Sequence, residues 1–310
     1  MAGFAIWNKC NNNCLMCTNP LDFRPNDRSD AYSSDKVFSR IKKWSEENKF
    51  SKENINLTGG EPTLHPHFLD LLAKIRKFYP ENRIVLISNG RMFSYPKFAK
   101  RCLETKDLTL EISLHASTAK RHNLITKTNG SFTQTVRGIK NILACKKPSQ
   151  ELEIRVVISK LNCGDTEKTV EFIKKNFPGV DRIILIFLEM EGSAEKNLKQ
   201  VGLTYKEYTK YLSPEKLKKW SKGLPEPIRL YHFPLCVLPF QLWKYAWRTL
   251  DEREAVFLEK CKFCLYKKYC LGIPRDYPRL IGEQEFRPIE KKMKIQPQKN
   301  FHHPIRDVKK

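Results

Sequence analysis

"CNNNCLMCTNP", residues 10–20, sets Cys10, Cys14 and Cys17 in a C-x3-C-x2-C spacing directly after "GFAIW" (3–7), a short stretch that reads as a strand. Three thiolates on one loop suit a soft metal, either zinc or an iron–sulfur cluster. A structural zinc site is normally closed by four ligands. A cubane held by three cysteines instead keeps one iron open, so the missing ligand becomes the functional position.

Outward from this loop, strand and helix patterns alternate. Period-2 or apolar runs at 54–62, 83–90, 108–116, 152–162 and 181–192 read as further strands, and amphipathic runs at 34–47, 67–79, 95–104, 131–146 and 165–177 as helices. Six strand–helix steps in about 190 residues imply a parallel sheet with helical crossovers, too few for a closed eight-fold barrel. The expected fold class is α/β: a partial (β/α)6 TIM-type barrel over residues 1–200. It is followed by a small cysteine-rich domain over 201–285 and a basic flexible tail over 286–310, with 204–223 helical and 228–240 a strand and a Pro-bounded turn.

The second strand ends in "LTGGEPTLHP" (57–66). Gly59 and Gly60 allow close approach of the backbone to a ligand, and Glu61 adds a carboxylate beside it. If the first two strands are parallel neighbours, this turn lies beside the cysteine loop. The combination of C-x3-C-x2-C after strand one and GGEP after strand two resembles the radical S-adenosylmethionine (SAM) superfamily, over roughly residues 3–192. The resemblance implies that Cys10, Cys14 and Cys17 hold a [4Fe–4S] cluster whose open iron is chelated by SAM. It also implies that Gly59, Gly60 and Glu61 line the methionine end, and that reductive cleavage of SAM yields a 5′-deoxyadenosyl radical that abstracts a substrate hydrogen. Met16, where the family often has an aromatic residue, is expected against the adenine or in the local core.

Strand alternation nominates further groups. In "LTLEISLHA" (108–116), Glu111, Ser113 and His115 share one face, opposite Leu110, Ile112 and Leu114. Polar groups turned into a small barrel need partners or a ligand. The resemblance places Ser113 at the SAM ribose and Arg155 of "LEIRVVIS" at the SAM carboxylate; on residues alone Arg155 could equally be a surface group. Asn89 of "SNG" sits by the cofactor or makes the turn. His65, His67, His115 and His122 could carry protons, but the structural reading comes first for each.

Cys261, Cys264 and Cys270 form C-x2-C-x5-C, with Cys236 upstream, a complete four-ligand set for zinc or a second [4Fe–4S] cluster. Beside a radical SAM core the pattern resembles SPASM/Twitch-type auxiliary-cluster extensions, which implies one fully ligated auxiliary [4Fe–4S] cluster. "TGGEPTL", "SNGRMFS", "LEIRVVI" and "IRLYHFPLCVLPFQLW" are similar to the C-type maturases of His-Xaa-Ser peptide systems. That resemblance implies a peptide or protein substrate and a second radical SAM protein as partner; radical chemistry also requires an electron donor. Cys102 and Cys145, on expected helices, read as small core residues, and Cys163 follows the fifth strand, where a role near the site is conceivable but not favoured.

The chain of 310 residues is 40% hydrophobic, enough for a sizeable core, and has no apolar run near 18 residues. Without a signal-peptide pattern at its start it is expected in the cytoplasm, away from membranes, where ten cysteines are thiols or metal ligands rather than disulfides. The formal charge of +23 attracts polyanions or is spread over a solvated surface. It leaves open an RNA (tRNA)-modifying enzyme, with Trp243, Tyr245 and Trp247 available to stack on bases. A non-catalytic zinc-binding interaction protein is the third reading; it gives no reason for a three-ligand loop beside GGEP.

Overall fold

The computed structural model describes residues 2–21, 29–48, 53–250 and 253–293. The six expected strands form: β1 (Ala2–Trp7), β2 (Ile55–Gly59), β3 (Ile84–Ser88), β4 (Leu108–Ser113), β5 (Glu151–Ile158) and β6 (Arg182–Phe187). Each pairs in parallel with the next, and the order continues through β7 (Arg229–Tyr231) and β8 (Ala246–Trp247). The sheet is therefore an open parallel α/β barrel, as expected, but of eight strands. Strand β7 falls within the strand-and-turn segment expected at 228–240, whereas β8 was missed because a two-residue strand is too short to show alternation. They lie inside the segment assigned above to a separate cysteine-rich domain.

Helices fill the crossovers: α1 (Ser34–Glu47), α2 (Phe68–Phe78), α3 (Pro96–Cys102), α4 (Ala119–Thr126), α5 (Ser131–Cys145) and α6 (Thr166–Asn176). Helix α4 is the one the sequence reading passed over. It has eight residues and a narrow apolar stripe, and it starts because the Thr118 side chain accepts from Arg121 N. The single helix expected at 204–223 is instead Tyr205–Thr209 and Pro214–Ser221. Pro214 cannot continue a helix but fits its first turn, and Ser213 caps that new start.

Alternation decides what each face buries. Leu110, Ile112, Leu114, Leu152, Ile154, Val156, Ile158, Ile183, Leu185 and Phe187 are at most 1% exposed and pack outward with Ile139 and Ile142 of α5 and Val170 and Ile173 of α6. Each such side chain contributes about 1.5–3 kcal/mol by leaving water. The same core continues into the C-terminal third. Tyr205 stacks on Phe187 with ring centroids 3.9 Å apart, and Phe233, Tyr277 and Phe286 close around the pair. Residues 286–293, assigned above to the tail, are packed here: Phe286 is buried and the Ile289 carbonyl accepts from Leu265 N at 3.0 Å. Residues 294–310 lie outside the described residues. Among those described, no helix is long and apolar enough to cross a membrane.

Candidate active site and metal centres

The cysteine loop leaves the C-terminal end of β1 and is held by four other segments. Asn13 N and Leu15 N donate to the carbonyls of Thr126 (3.0 Å) and Ile125 (2.9 Å), so the last turn of α4 supports the loop. Ser193 N donates to the Cys17 carbonyl at 2.8 Å, and Asn197 Nδ2 to the Leu15 carbonyl at 3.1 Å. Gly192 makes that approach possible. Its φ is +56°, and a Cβ there would lie 2.2 Å from the Asn19 carbonyl oxygen. Arg91 donates to the Asn11 carbonyl and to Asn12 Oδ1, while Asn89 Nδ2 donates to Asn11 Oδ1 at 2.7 Å and reaches Cys10 Sγ at 3.8 Å. Asn89 thus stands at the first cysteine. Met16 is buried in the core beneath the loop.

The GGEP turn packs on the same loop. A Cβ on Gly60 would meet the Lys9 carbonyl oxygen at 2.4 Å, and one on Gly59 the Trp7 carbonyl oxygen at 2.2 Å. The close approach these glycines permit is therefore to the exit of β1. Gly60 N and Glu61 N donate to the Trp7 and Lys9 carbonyls at 2.7 and 2.8 Å. With those N–H groups engaged, contact between this turn and an amino group falls to its carbonyls, the acceptors an ammonium needs.

The carboxylate of Glu61 is a brace. It is buried and accepts from Thr63 N, Thr63 Oγ1, Ser88 Oγ (2.7 Å) and Asn89 N (2.7 Å), tying the turn to the end of β3. Burial raises its pKa, and these donors oppose the rise.

The inner face carries charge. Arg155 donates to Glu111 Oε1 at 2.6 Å and Glu153 Oε1 at 2.7 Å. Arg182 reaches Glu153 Oε2 (3.3 Å), Glu226 Oε1 (2.8 Å) and Glu151. Arg229 pairs with Glu226 and lies over the Trp247 ring at 3.8 Å. Arg155, expected at a SAM carboxylate, is thus shared between two glutamates. The Glu111 carboxyl is pushed up to about 7 by burial, against the pull of Arg155, and its Oε2 is buried without a hydrogen bond. Ser113 lies level with Arg155 in the β4–β5 register, and its hydroxyl makes no hydrogen bond among the described residues.

The profile of the Radical SAM superfamily matches residues 4–187, from β1 to β6. The chain belongs to the radical SAM superfamily. Among curated relatives, the GTP 3′,8-cyclase of Helicobacter pylori is 28% identical over 207 residues, 66% of this chain and 59% of that protein. The chain spans about half the length of the first curated relatives it matches, 45% and 59%. Among solved structures, Streptococcus suis SuiB bound to precursor peptide SuiA superposes with a TM-score of 0.51 at 15% identity, over 71% of this chain and 44% of that one. Native anSMEcpe with bound AdoMet and Kp18Cys peptide gives 0.53 at 19% identity, over 74% and 63%. These likenesses support the fold.

As a radical SAM enzyme the chain is expected to carry a [4Fe–4S] cluster and SAM. The donor chemistry of the first loop fits: three thiols that form no disulfide, beside a turn that offers backbone carbonyls as acceptors. Among the described residues no three Cys, His, Asp or Glu side chains converge at metal-ligand distance, so the fit is one of donor set and loop placement.

Cys236, Cys261, Cys264 and Cys270 come from three segments and line one cavity, walled also by Leu235, Phe257, Tyr266 and Ile273. Burial pushes the Cys236 thiol up to about 12 and raises Cys270 as well, and the neighbouring cysteines add to both shifts. Four thiols lining one cavity suit a metal that takes them as thiolates.

The remaining candidates are structural. His65 bonds the Tyr32 carbonyl through Nε2 and accepts from His67 N. His67 is exposed beside Asp70. His115 and His122 stack in the core, and burial lowers both pKa values. Cys102 is buried, while Cys145 and Cys163 are half-buried against the core. Trp243 and Tyr245, offered above as base-stacking residues, are buried, and the Trp243 N–H bonds the Leu235 and Leu238 carbonyls. Sequence reasoning missed Arg91, Asn19, Ser88 and Gly192 as supports of the loop. A glycine just after β6 in "MEGSAEKN" was the one visible signal.

Proposed function

We propose that this radical SAM enzyme modifies a peptide or protein by hydrogen abstraction. Cys10, Cys14 and Cys17 are the cluster ligands in this reading, and Gly59, Gly60, Asn89, Ser113 and Arg155 hold SAM, with Met16 beneath the adenine. When bound, the cluster and SAM supply a one-electron cleavage that generates a hydrogen-abstracting radical. The chain's own residues shape the site: Asn89 anchors the first cysteine, Glu61 fixes the GGEP turn, and Gly192 lets the β6 exit close on Cys17.

The observation that carries the peptide reading is the second cysteine set. Four thiols line one cavity, a full ligand set in number, here assigned to an auxiliary [4Fe–4S] cluster. Such a site needs no substrate to complete it, so substrate is held by protein surface. A peptide offers that area, and a charge of +23 favours an acidic one. Two solved structures of similar fold hold peptides. The names of the curated relatives favour a second reading, GTP as substrate. The RNA reading loses most of its stacking support, because Trp243 and Tyr245 are buried and the half-buried Trp247 already has Arg229 over its ring.

The test is anaerobic reconstitution followed by iron and sulfide counts, EPR with and without SAM, and 5′-deoxyadenosine release in the presence of acidic precursor peptides or GTP. Two clusters are expected, one of them lost in Cys10→Ala/Cys14→Ala/Cys17→Ala together with SAM cleavage. Peptide mass shifts without GTP turnover support the first reading; the reverse supports the second. Stoichiometric zinc with no iron and no SAM response sinks both.

A further inference from the structure

Two titratable groups at the open end of the barrel are not among the residues assigned to SAM above. Glu189 follows β6 by two residues, and His232 follows β7 directly, so both stand at strand C-termini, where folds of this kind place their chemistry. His232 Nδ1 lies 3.2 Å from the Phe187 carbonyl oxygen and 3.9 Å from Glu189 Oε1. A carbonyl can only accept, so Nδ1 carries the proton and Nε2 presents its lone pair. Nε2 has no hydrogen-bond partner among the described residues, and neither has the Glu189 carboxyl. The side chains are only 12% and 22% exposed. His232 holds φ at +68°, a left-handed backbone uncommon for a residue with a Cβ and one that collects at functional sites.

We propose that Glu189 and His232 form an acid–base pair facing the substrate at the ends of β6 and β7. A substrate N–H or O–H gives its proton to His232 Nε2, and the cation so formed lies 3.9 Å from the Glu189 carboxylate. In the reverse sense the protonated Glu189 carboxyl donates to a substrate anion. One proton moves, and the pair transfers no electron. Burial, with Glu254 and Asp276 nearby and Arg275 opposing, pushes Glu189 up to about 7. Tyr205 also faces it. Burial and Arg155 bring His232 down to about 4, against Glu254 and the Phe187 carbonyl, so the imidazole is neutral and able to accept.

The proposal rests on the radical SAM reading above only for its probes. Reconstituted wild type, Glu189→Gln and His232→Gln are each given SAM, dithionite and either a synthetic His-Xaa-Ser repeat peptide or GTP. The readout is probe converted per 5′-deoxyadenosine formed, from about pH 5.5 to about pH 8.5. Each variant is expected to lower this ratio about 100-fold or more, and the wild-type titration near neutrality disappears in Glu189→Gln. An unchanged ratio and pH profile overturns the pair. If wild type converts neither probe, the substrate reading fails by itself, and diethyl pyrocarbonate then decides the pair. His232 should be acylated at least about 10-fold faster than buried His115 and His122 at pH near 6. Equal rates overturn the proposal.

Discussion

The two faces of β4 and β5 are made from alternate residues of the same strands, yet they are stabilised in opposite ways. Outward, Leu110, Ile112, Leu152, Ile154 and Val156 pack into one continuous apolar core. Inward, Glu111, Glu153 and Arg155 form a charged layer continued by Arg182 and Glu226. An outward residue is satisfied by any neighbour of suitable volume, whereas an inward one depends on particular partners across three strands. The outer face therefore tolerates change by degrees, and the inner face loses a whole network at once.

Four substitutions test that contrast. Arg155→Met strands the Glu111 and Glu153 carboxylates in a buried layer and should destabilise by about 3–5 kcal/mol, read as a urea midpoint shift. A loss under about 1 kcal/mol would show that water already screens the layer. Its sequence neighbour Ile154→Ala, on the outer face, leaves only a cavity; about 3 kcal/mol is expected, with unchanged SAM binding by calorimetry. Equal effects of both variants on SAM binding would erase the distinction between the faces.

A smaller effect is one of pH. The folded pKa of Glu189, about 7, lies above its ordinary value of 4.5. Between those values the folded state holds the extra proton, so stability present at pH 4.5 is lost as pH rises through 7. The loss is about 2 kcal/mol once partial exposure is discounted. Glu189→Gln should flatten that part of the stability–pH curve; a slope that persists would assign it to another group, such as Glu111. The smallest change is Ser113→Ala, whose hydroxyl has no partner to lose. Stability should stay within about 0.5 kcal/mol. Weaker SAM binding in that variant would mark the hydroxyl as a ligand contact, and unchanged affinity would remove Ser113 from the site.

Local patterns carried most of the fold. Period-2 alternation located β1 to β6, and helical periodicity located five of the six crossover helices. The first cysteine set, the C-x2-C-x5-C run and the GGEP turn could be read because each sits within about ten residues of chain or fewer. Long-range partners were not readable. Nothing in "LEIRVVIS" announces that Arg155 is shared by Glu111 and Glu153, since the pairing follows from β4–β5 register. Nor does "GGEP" reveal that its glycines accommodate residues 7–9, or that Glu61 is spent on Ser88 and Asn89. Helix α4 was missed for lack of amphipathic contrast, although its last turn carries the cysteine loop.

The bond from Asn197 Nδ2 to the Leu15 carbonyl spans 182 residues of sequence. On a ribosome, the cysteine loop emerges 182 residues before the partner that gives it this support. In the reading proposed above, a cluster therefore enters a finished loop only after that later segment has been made. Until then three reduced thiols sit on an unbraced segment, open to oxidation or to capture of the wrong metal.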